Sequence, residues 1–512
     1  MLVTDPRVRA AYAEGAGIYR IVPAAVAIPR NTDDVVALVR HAADAHLALI
    51  PRGAGSGMPG GNVGSGVIVD LSSGFSGLAV DPESRIVRAG ASVTWAAVNA
   101  AAKPYGLRLP PDPSSGAFAT SGGMVATNAA GARTVRYGSV RRWVEALEIV
   151  DADGTVRLVE RGAGSGERFT LTPDTRHLIS DRFPKTSKNS SGYALDRFAA
   201  SGDELDLLVG SEGTLGIVTQ VHWRLDPIPP DIAGAALGFA DLDAMVEAVP
   251  YLLSLQPSAL ELLDASLLQF VPDAPKVACL LLVEFERETG AAARGVVGDA
   301  VRGLKESVAH VETAVDRAGL ERLWSVRRLA SPALARLPAH QRSLQVIEDG
   351  CVPLDALGAY IAGLRTAAAR HGIPIVMFGH AGDGHIHVNA LPDTTADGWP
   401  GALHELFDEV TDLLGRLGGV PSGEHGVGRL RAGILARFYG TEVMDLFRAV
   451  KRAYDPLSLL NPGVIIPATD WSPVAALKVG VAAAVIPEDI ATRLRDVERS
   501  AAWATPKLEL TR

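Results

Sequence analysis

Cysteine is nearly absent. Cys279 and Cys351 are the only two in 512 residues. That count excludes a disulfide scaffold, and it excludes an iron–sulfur cluster held by this chain alone, which takes about four thiolates. Both cysteines read as buried small hydrophobes. Long hydrophobic runs are also missing. The stretch 479–486 spans only eight residues, well short of the ~18 that mark a membrane span. Positive charge is not in excess either: 49 basic residues face 58 acidic ones, for a net charge of −9. A dedicated nucleic-acid binder would show a basic face, so that class is set aside, although a local basic pocket for an anionic substrate is not. Residues 1–15 lack the basic-then-apolar order of a secretory leader. These absences lead to the expectation of a cytoplasmic protein with no transmembrane segment and no nucleic-acid partner.

What is present is globular. Hydrophobic residues make up 47% and charged residues 21%. A single core rarely grows past about 250–300 residues, so several units are expected. Three textures divide the chain, at 1–228, 229–427 and 428–512. In the first, residues 35–46 and 93–102 have helical spacing. Residues 47–50, stopped by Pro51, read as a strand, as do 67–71 and 145–150, the last entering a turn at Asp153-Gly154. The second opens after Pro227, Pro229 and Pro230 and interleaves helices with strands. Helices are expected at 242–249 (ending at Pro250), 291–304, 352–369 and 403–417, with strands at 278–284, 373–378 and 386–391. That alternation points to an α+β unit with sheet on one face and helices on the other. The third is helical to about Tyr454.

Glycine is the informative excess, 53 of 512, against an average of about 7%. Three clusters hold much of it. The first, Pro51-Arg52-Gly53-Ala54-Gly55-Ser56-Gly57-Met58-Pro59-Gly60-Gly61, formally contains G-x-G-x-x-G. It leads into a strand and not into a helix, so the dinucleotide fingerprint is rejected. What remains is a loop whose backbone N–H groups can wrap an anion. The second runs from Pro110-Pro111-Asp112-Pro113-Ser114-Ser115 through Ala119-Thr120-Ser121-Gly122-Gly123 to Asn128 and Gly131. Its small residues let the backbone approach a bulky planar ligand. The third, from Gly210 to Thr219, reads as a strand, a tight turn and a strand.

Together these segments resemble the flavin-binding domain of the vanillyl-alcohol oxidase and p-cresol methylhydroxylase superfamily. The nearest group is the branch of D-lactate dehydrogenase, D-2-hydroxyglutarate dehydrogenase and the glycolate oxidase FAD subunit. The resemblance implies an α+β chain: a two-subdomain p-cresol methylhydroxylase (PCMH)-type FAD-binding domain and an α+β cap with an antiparallel sheet and helices. Residues 428–512 would pack back on the FAD domain. It also implies non-covalent FAD, because Ser56 stands where some members carry a flavin-linked histidine. The pyrophosphate would lie on the backbone of Arg52, Gly53, Ala54, Gly55, Ser56 and Gly57. Pro111, Ser114, Ser121, Gly122, Asn128 and Gly131 would follow the flavin and ribityl chain. Glu212, Gly216 and Ile217 would place the adenosine half and the isoalloxazine edge.

Six of the twelve histidines lie between His371 and His425. If 386–391 is a strand, His385 and His387 share a face, and His380 sits before a glycine turn that can fold it back. Two imidazoles with a carboxylate from Ser422-Gly423-Glu424-His425 are a common set for a divalent ion. The resemblance assigns the metal to His380, His387 and Glu424, with zinc first and manganese or iron as alternatives. It makes His425 the base and Arg327, in Trp324-Ser325-Val326-Arg327, the clamp for a substrate carboxylate. The family usually has asparagine where this chain has His385, which could bond substrate, ligate or simply pack. No lysine lies in 341–348, which favours a small acid such as D-lactate over a dicarboxylic acid. The implied activity is oxidation of a D-2-hydroxy acid. Electrons would go to a separate iron–sulfur subunit, cytochrome, quinone or electron-transfer flavoprotein rather than to NAD. A homodimer, attached peripherally to a membrane where the acceptor requires it, is expected. Two readings stay open beside this one: an alkylglycerone-phosphate synthase-like enzyme without net oxidation, and a non-catalytic flavoprotein subunit.

Overall fold

The computed structural model describes residues 2–511 apart from 165–167, 330–333, 335, 336 and 339. Two sheets of three and five strands, with a short pair of Leu107–Arg108 and Asp226–Pro227, build the first part of the chain. Strands β1 (Ala25–Ala27), β2 (Leu49–Arg52) and β3 (Val67–Asp70) form a parallel sheet in the order β1-β3-β2. Helix α1 (Thr32–Ala45) connects the first two strands. It starts where the Asn31 side chain accepts from the Asp34 N–H and stops at His46 in the left-handed conformation. Strand β2 continues through Pro51 and is not stopped there. It is an edge strand, so the missing N–H of proline breaks no ladder bond.

The second sheet is antiparallel. Its strands are β4 (Leu78–Asp81), β5 (Ile86–Gly90), β6 (Val144–Val150), β7 (Val156–Glu160) and β8 (Ile217–Arg224), in the order β4-β5-β8-β6-β7. Helix α2 (Ser121–Thr127) occupies the second glycine cluster. The third cluster contains one strand, β8, and not two. Gly210, Glu212 and Gly213 all have positive φ, so the first half coils before the strand begins.

The cap is a seven-stranded antiparallel sheet. Its strands are β9 (Asp231–Phe239), β10 (Ala259–Asp264), β11 (Cys279–Arg287), β12 (Val308–Ala314), β13 (Gly350–Cys351), β14 (Ile375–His380) and β15 (His385–Ala390), in the order β12-β9-β11-β10-β14-β15-β13. One face, with Leu237, Leu262, Leu281 and Ile386, packs on α3 (Leu242–Ser254), α4 (Gly290–Gly303), α6 (Leu357–Arg370) and α7 (Trp399–Arg416). Helix α3 runs through Pro250, which gives up one backbone bond while Val249 and Leu252 stay buried on either side. The other face is not bare: Leu320 and Leu323 of α5 (Arg317–Arg328) cover part of it with Leu263, Leu282 and Phe378.

Helix α8 (Leu435–Tyr454) belongs to the core of the first part. Its Leu435, Tyr439, Val443 and Phe447 share a buried cluster with Trp143, Leu147 and Trp223. Beyond it, the Asn461 amide donates to the carbonyls of Gly61 and Glu212, both at 2.8 Å, and so ties the first glycine loop to the third. No helix among the described residues is long and apolar enough to cross a membrane.

Candidate active site

The three glycine clusters enclose one cleft. Arg52, Gly53, Ala54, Gly55, Ser56 and Gly57 line it, with Ser114, Gly122, Glu212 and Gly216. Five other expected positions do not. The Ser121 hydroxyl donates to the Val93 carbonyl and accepts the Trp223 indole N–H. Asn128, left-handed at the end of α2, bonds Ser190 and the Arg141 backbone. Gly131 lies against the Asp112 backbone. Ile217 is fully buried among Val39, Val69 and Val150. Pro111 is buried outside the lining.

The cleft suits FAD on several counts. Its floor is backbone and small side chains, which a flat ring system can approach. At Gly55, φ is +79° and a Cβ would stand 2.4 Å from the Arg52 guanidinium. That guanidinium folds back, donating to the carbonyls of Tyr12 (3.2 Å), Glu14 (2.8 Å) and Asn62 (3.3 Å), so it holds the loop. Asn62 Oδ1, on the lining, is buried without a partner among the described residues. The Glu212 carboxylate accepts from the backbone N–H groups of Val427 (2.7 Å) and Gly428 (2.9 Å) and stitches the third loop to the His425 segment. Burial lifts its pKa to about 7, and those N–H groups pull against the rise.

Glu424 and His425 line the same cleft. Behind them stand the histidines of the cap. His380 and His385 are paired across β14 and β15, and Phe378 pairs with His387, so alternation puts all four on one face. His380 Nε2, His387 Nε2 and Glu424 Oε1 lie 3.1, 3.2 and 3.3 Å apart. Each ring is oriented from behind. His380 Nδ1 donates to Glu261, and His387 Nδ1 donates to the Glu348 carbonyl at 3.2 Å. Lys188 donates to Glu424 Oε2 at 3.3 Å and pairs with Asp383 at 3.3 Å. His425 Nδ1 donates to Glu348 Oε2 at 2.6 Å, and Glu348 is held from its other oxygen by Arg431 at 2.6 Å. Arg327 donates through Nε to Glu261 at 3.2 Å and lies over the Phe378 ring.

The charges in this cluster do not balance. Glu261, Glu348, Asp349, Asp383 and Glu424 are buried carboxylates, against Lys188, Arg327 and Arg431 as fixed cations among the described residues. Two protonated imidazoles make up the difference. Burial pulls both down, but Glu261 outweighs it at His380 and lifts the pKa to about 9, while Asp349 and Glu348 lift His425 to about 10. A divalent ion would supply the same two charges. The donor triangle fits it: ligand atoms about 2.0–2.1 Å from a tetrahedral ion stand about 3.3 Å apart. Nitrogen with one carboxylate oxygen suits zinc or a neighbouring transition ion better than magnesium or calcium.

Sequence reasoning missed the supports. Glu261 was legible in principle, as a lone charge inside the apolar strand β10. Glu348 closes the 341–348 stretch, which sequence reasoning reads only for its lack of lysine, and Asp349 follows it directly. Lys188 and Arg431 come from the first and third parts of the chain, and nothing local marks them.

Residues 23–160 match a family described as an FAD binding domain, and residues 228–465 match FAD linked oxidases, C-terminal domain. The chain is 31% identical to a D-lactate dehydrogenase of Archaeoglobus fulgidus over 86% of its own length and 90% of that protein. It is 30% identical to a D-2-hydroxyglutarate dehydrogenase of Escherichia coli, over 88% of this chain but only 49% of that longer protein. Among solved structures, p-cresol methylhydroxylase with substrate bound superposes with a TM-score of 0.66 at 16% identity, covering 91% of this chain and 94% of that one.

Proposed function

Because the chain belongs to the FAD-linked oxidases, in the branch of D-lactate and D-2-hydroxyglutarate dehydrogenases, we propose that it oxidises a small D-2-hydroxy acid, D-lactate first, to the 2-oxo acid. Electrons then leave to an acceptor other than NAD. The observation that carries this reading is the position of His425, on the wall of the glycine cleft and next in sequence to Glu424 of the donor triangle. His380, His387 and Glu424 would hold the divalent ion. The chemistry that bound FAD and a bound divalent ion would contribute is acceptance of two electrons and polarisation of the substrate hydroxyl.

The residues divide the remaining work. With Nδ1 committed to Glu348, His425 presents Nε2 to the substrate hydroxyl and takes its proton there. A divalent ion held by His380, His387 and Glu424 would disfavour a proton on His425, whose Nε2 is the accepting atom. Arg327 keeps both terminal nitrogens of its fork unbonded among the described residues, which suits a carboxylate. Arg342 is spent on Glu498 at 3.0 Å and is no second clamp. That favours a monocarboxylic acid.

Anaerobic addition of D-lactate, L-lactate, glycolate and D-2-hydroxyglutarate to the purified flavoprotein tests the substrate. D-Lactate is expected to bleach the flavin fastest. Bleaching by L-lactate alone overturns the stereochemistry, and bleaching by none overturns the dehydrogenase reading. His425→Ala is expected to lower the rate of flavin reduction by about 10²–10⁴-fold with FAD retained. Substantial residual reduction removes His425 from the base role.

A further inference from the structure

We infer that His385 is a further protein ligand of the divalent ion, making the centre three imidazoles and one carboxylate. The inference rests on the metal reading above and extends it to a residue that reading does not use.

The argument starts from Asp349. Its carboxylate accepts from the Ser422 hydroxyl at 2.5 Å and from the His425 backbone N–H at 2.8 Å, so it is fixed. His385 Nε2 lies 2.8 Å from Asp349 Oδ1. An ionised carboxylate only accepts, so Nε2 carries the hydrogen and Nδ1 carries a lone pair. Nδ1 is buried and has no hydrogen-bond partner among the described residues, in a residue with no exposed surface. A buried acceptor left unpaired in a native site calls for an explanation, and an ion is one. A ring nitrogen of His385 and the donor atoms of His380, His387 and Glu424 all lie within 4.8 Å of one another. The ring centroids of His380 and His387 are 5.3 and 4.6 Å from that of His385.

Two further features favour ligation over the alternatives. A Cβ at Gly423 would stand 2.8 Å from the His385 ring, so the glycine beside Glu424 leaves room for this imidazole. The His385 side chain has no exposed surface, whereas that of Arg327 is 15% exposed, so substrate does not reach His385. Simple packing leaves Nδ1 unexplained. The Asp349–His385 pair also has the form of a carboxylate that orients a metal-bound imidazole from behind.

Zinc affinity measured by competition with a chelator, and the visible spectrum of the cobalt(II)-loaded protein, test this in the full-length flavoprotein. His385→Asn is expected to weaken zinc binding by about 10–100-fold and to change the cobalt bands. X-ray absorption of the zinc-loaded unsubstituted protein is expected to count three imidazoles, which keeps the test open if the variant does not fold. Unchanged affinity and bands in His385→Asn, while His387→Ala loses the ion, overturn the role of His385 alone, as does a count of two imidazoles. Failure of the unsubstituted protein to bind zinc or cobalt overturns both this inference and the metal reading.

Discussion

Along the wall made by residues 53–59, 61 and 122–123, glycine and other small residues predominate. Along the wall made by Glu424, His425 and the strands behind them, everything is side chain, and nearly every polar atom has a partner. The first wall is shaped by what is absent, since a Cβ at Gly53 would stand 2.4 Å from the Thr120 hydroxyl. The second is shaped by charge, with five carboxylates drawn around three fixed cations. A wall of the first kind fails by crowding and one of the second by imbalance, so the two should be separable by substitution.

Glu424→Gln should show the largest effect. It removes one corner of the triangle and leaves Lys188 and the neighbouring imidazoles without the charge they face. Divalent-ion affinity is expected to fall by about 100-fold or more, read by metal analysis after dialysis, while FAD content stays at one per chain. Loss of FAD along with the ion would show that the walls form one unit.

The two walls were also unequally legible in sequence. The glycine wall is written in consecutive residues, so its clusters could be seen and its lining named down to Gly53, Gly57 and Gly216. Ser121, Asn128 and Ile217 lie outside that lining, the first two taken up at the ends of α2 and the third in the core. The histidines were legible because β14 and β15 are joined by a tight turn that keeps them close in sequence. Their supports were not. Glu261 reaches His380 from 119 residues away, and Lys188 reaches Glu424 from 236. Buried charge pairs are set by tertiary register, which local spacing does not carry.

Gly55→Ala comes next in size and probes the other wall. The new Cβ demands a left-handed alanine and meets a guanidinium pinned by three carbonyls, so neither side yields freely. A strain of roughly 1–3 kcal/mol is expected, which is about 5- to 150-fold in FAD affinity. Flavin release on dilution reads it, and zinc affinity should be unchanged. Equal weakening of both ligands would erase the distinction between the walls.

The smallest effect concerns a cation that the comparison leaves out. Within the fields of Arg52 and Asp70, Lys507 is buried over the Trp503 ring and has no hydrogen-bond partner among the described residues, unlike every cation around Glu424. Burial pushes its pKa down to about 7, helped by Arg52 and opposed by Asp70. The unfolded chain then binds more protons than the fold between about pH 7 and its ordinary value of about 10.4, so stability should rise with pH across that window. Lys507→Met should remove that slope and add about 1 kcal/mol near pH 7, because an unpaired ammonium no longer has to be buried. Urea melts at pH 7 and pH 9.5 on both proteins decide it. A variant less stable than the parent at pH 7 would mean that the ammonium is held by an attractive contact, and that charge is balanced there as well.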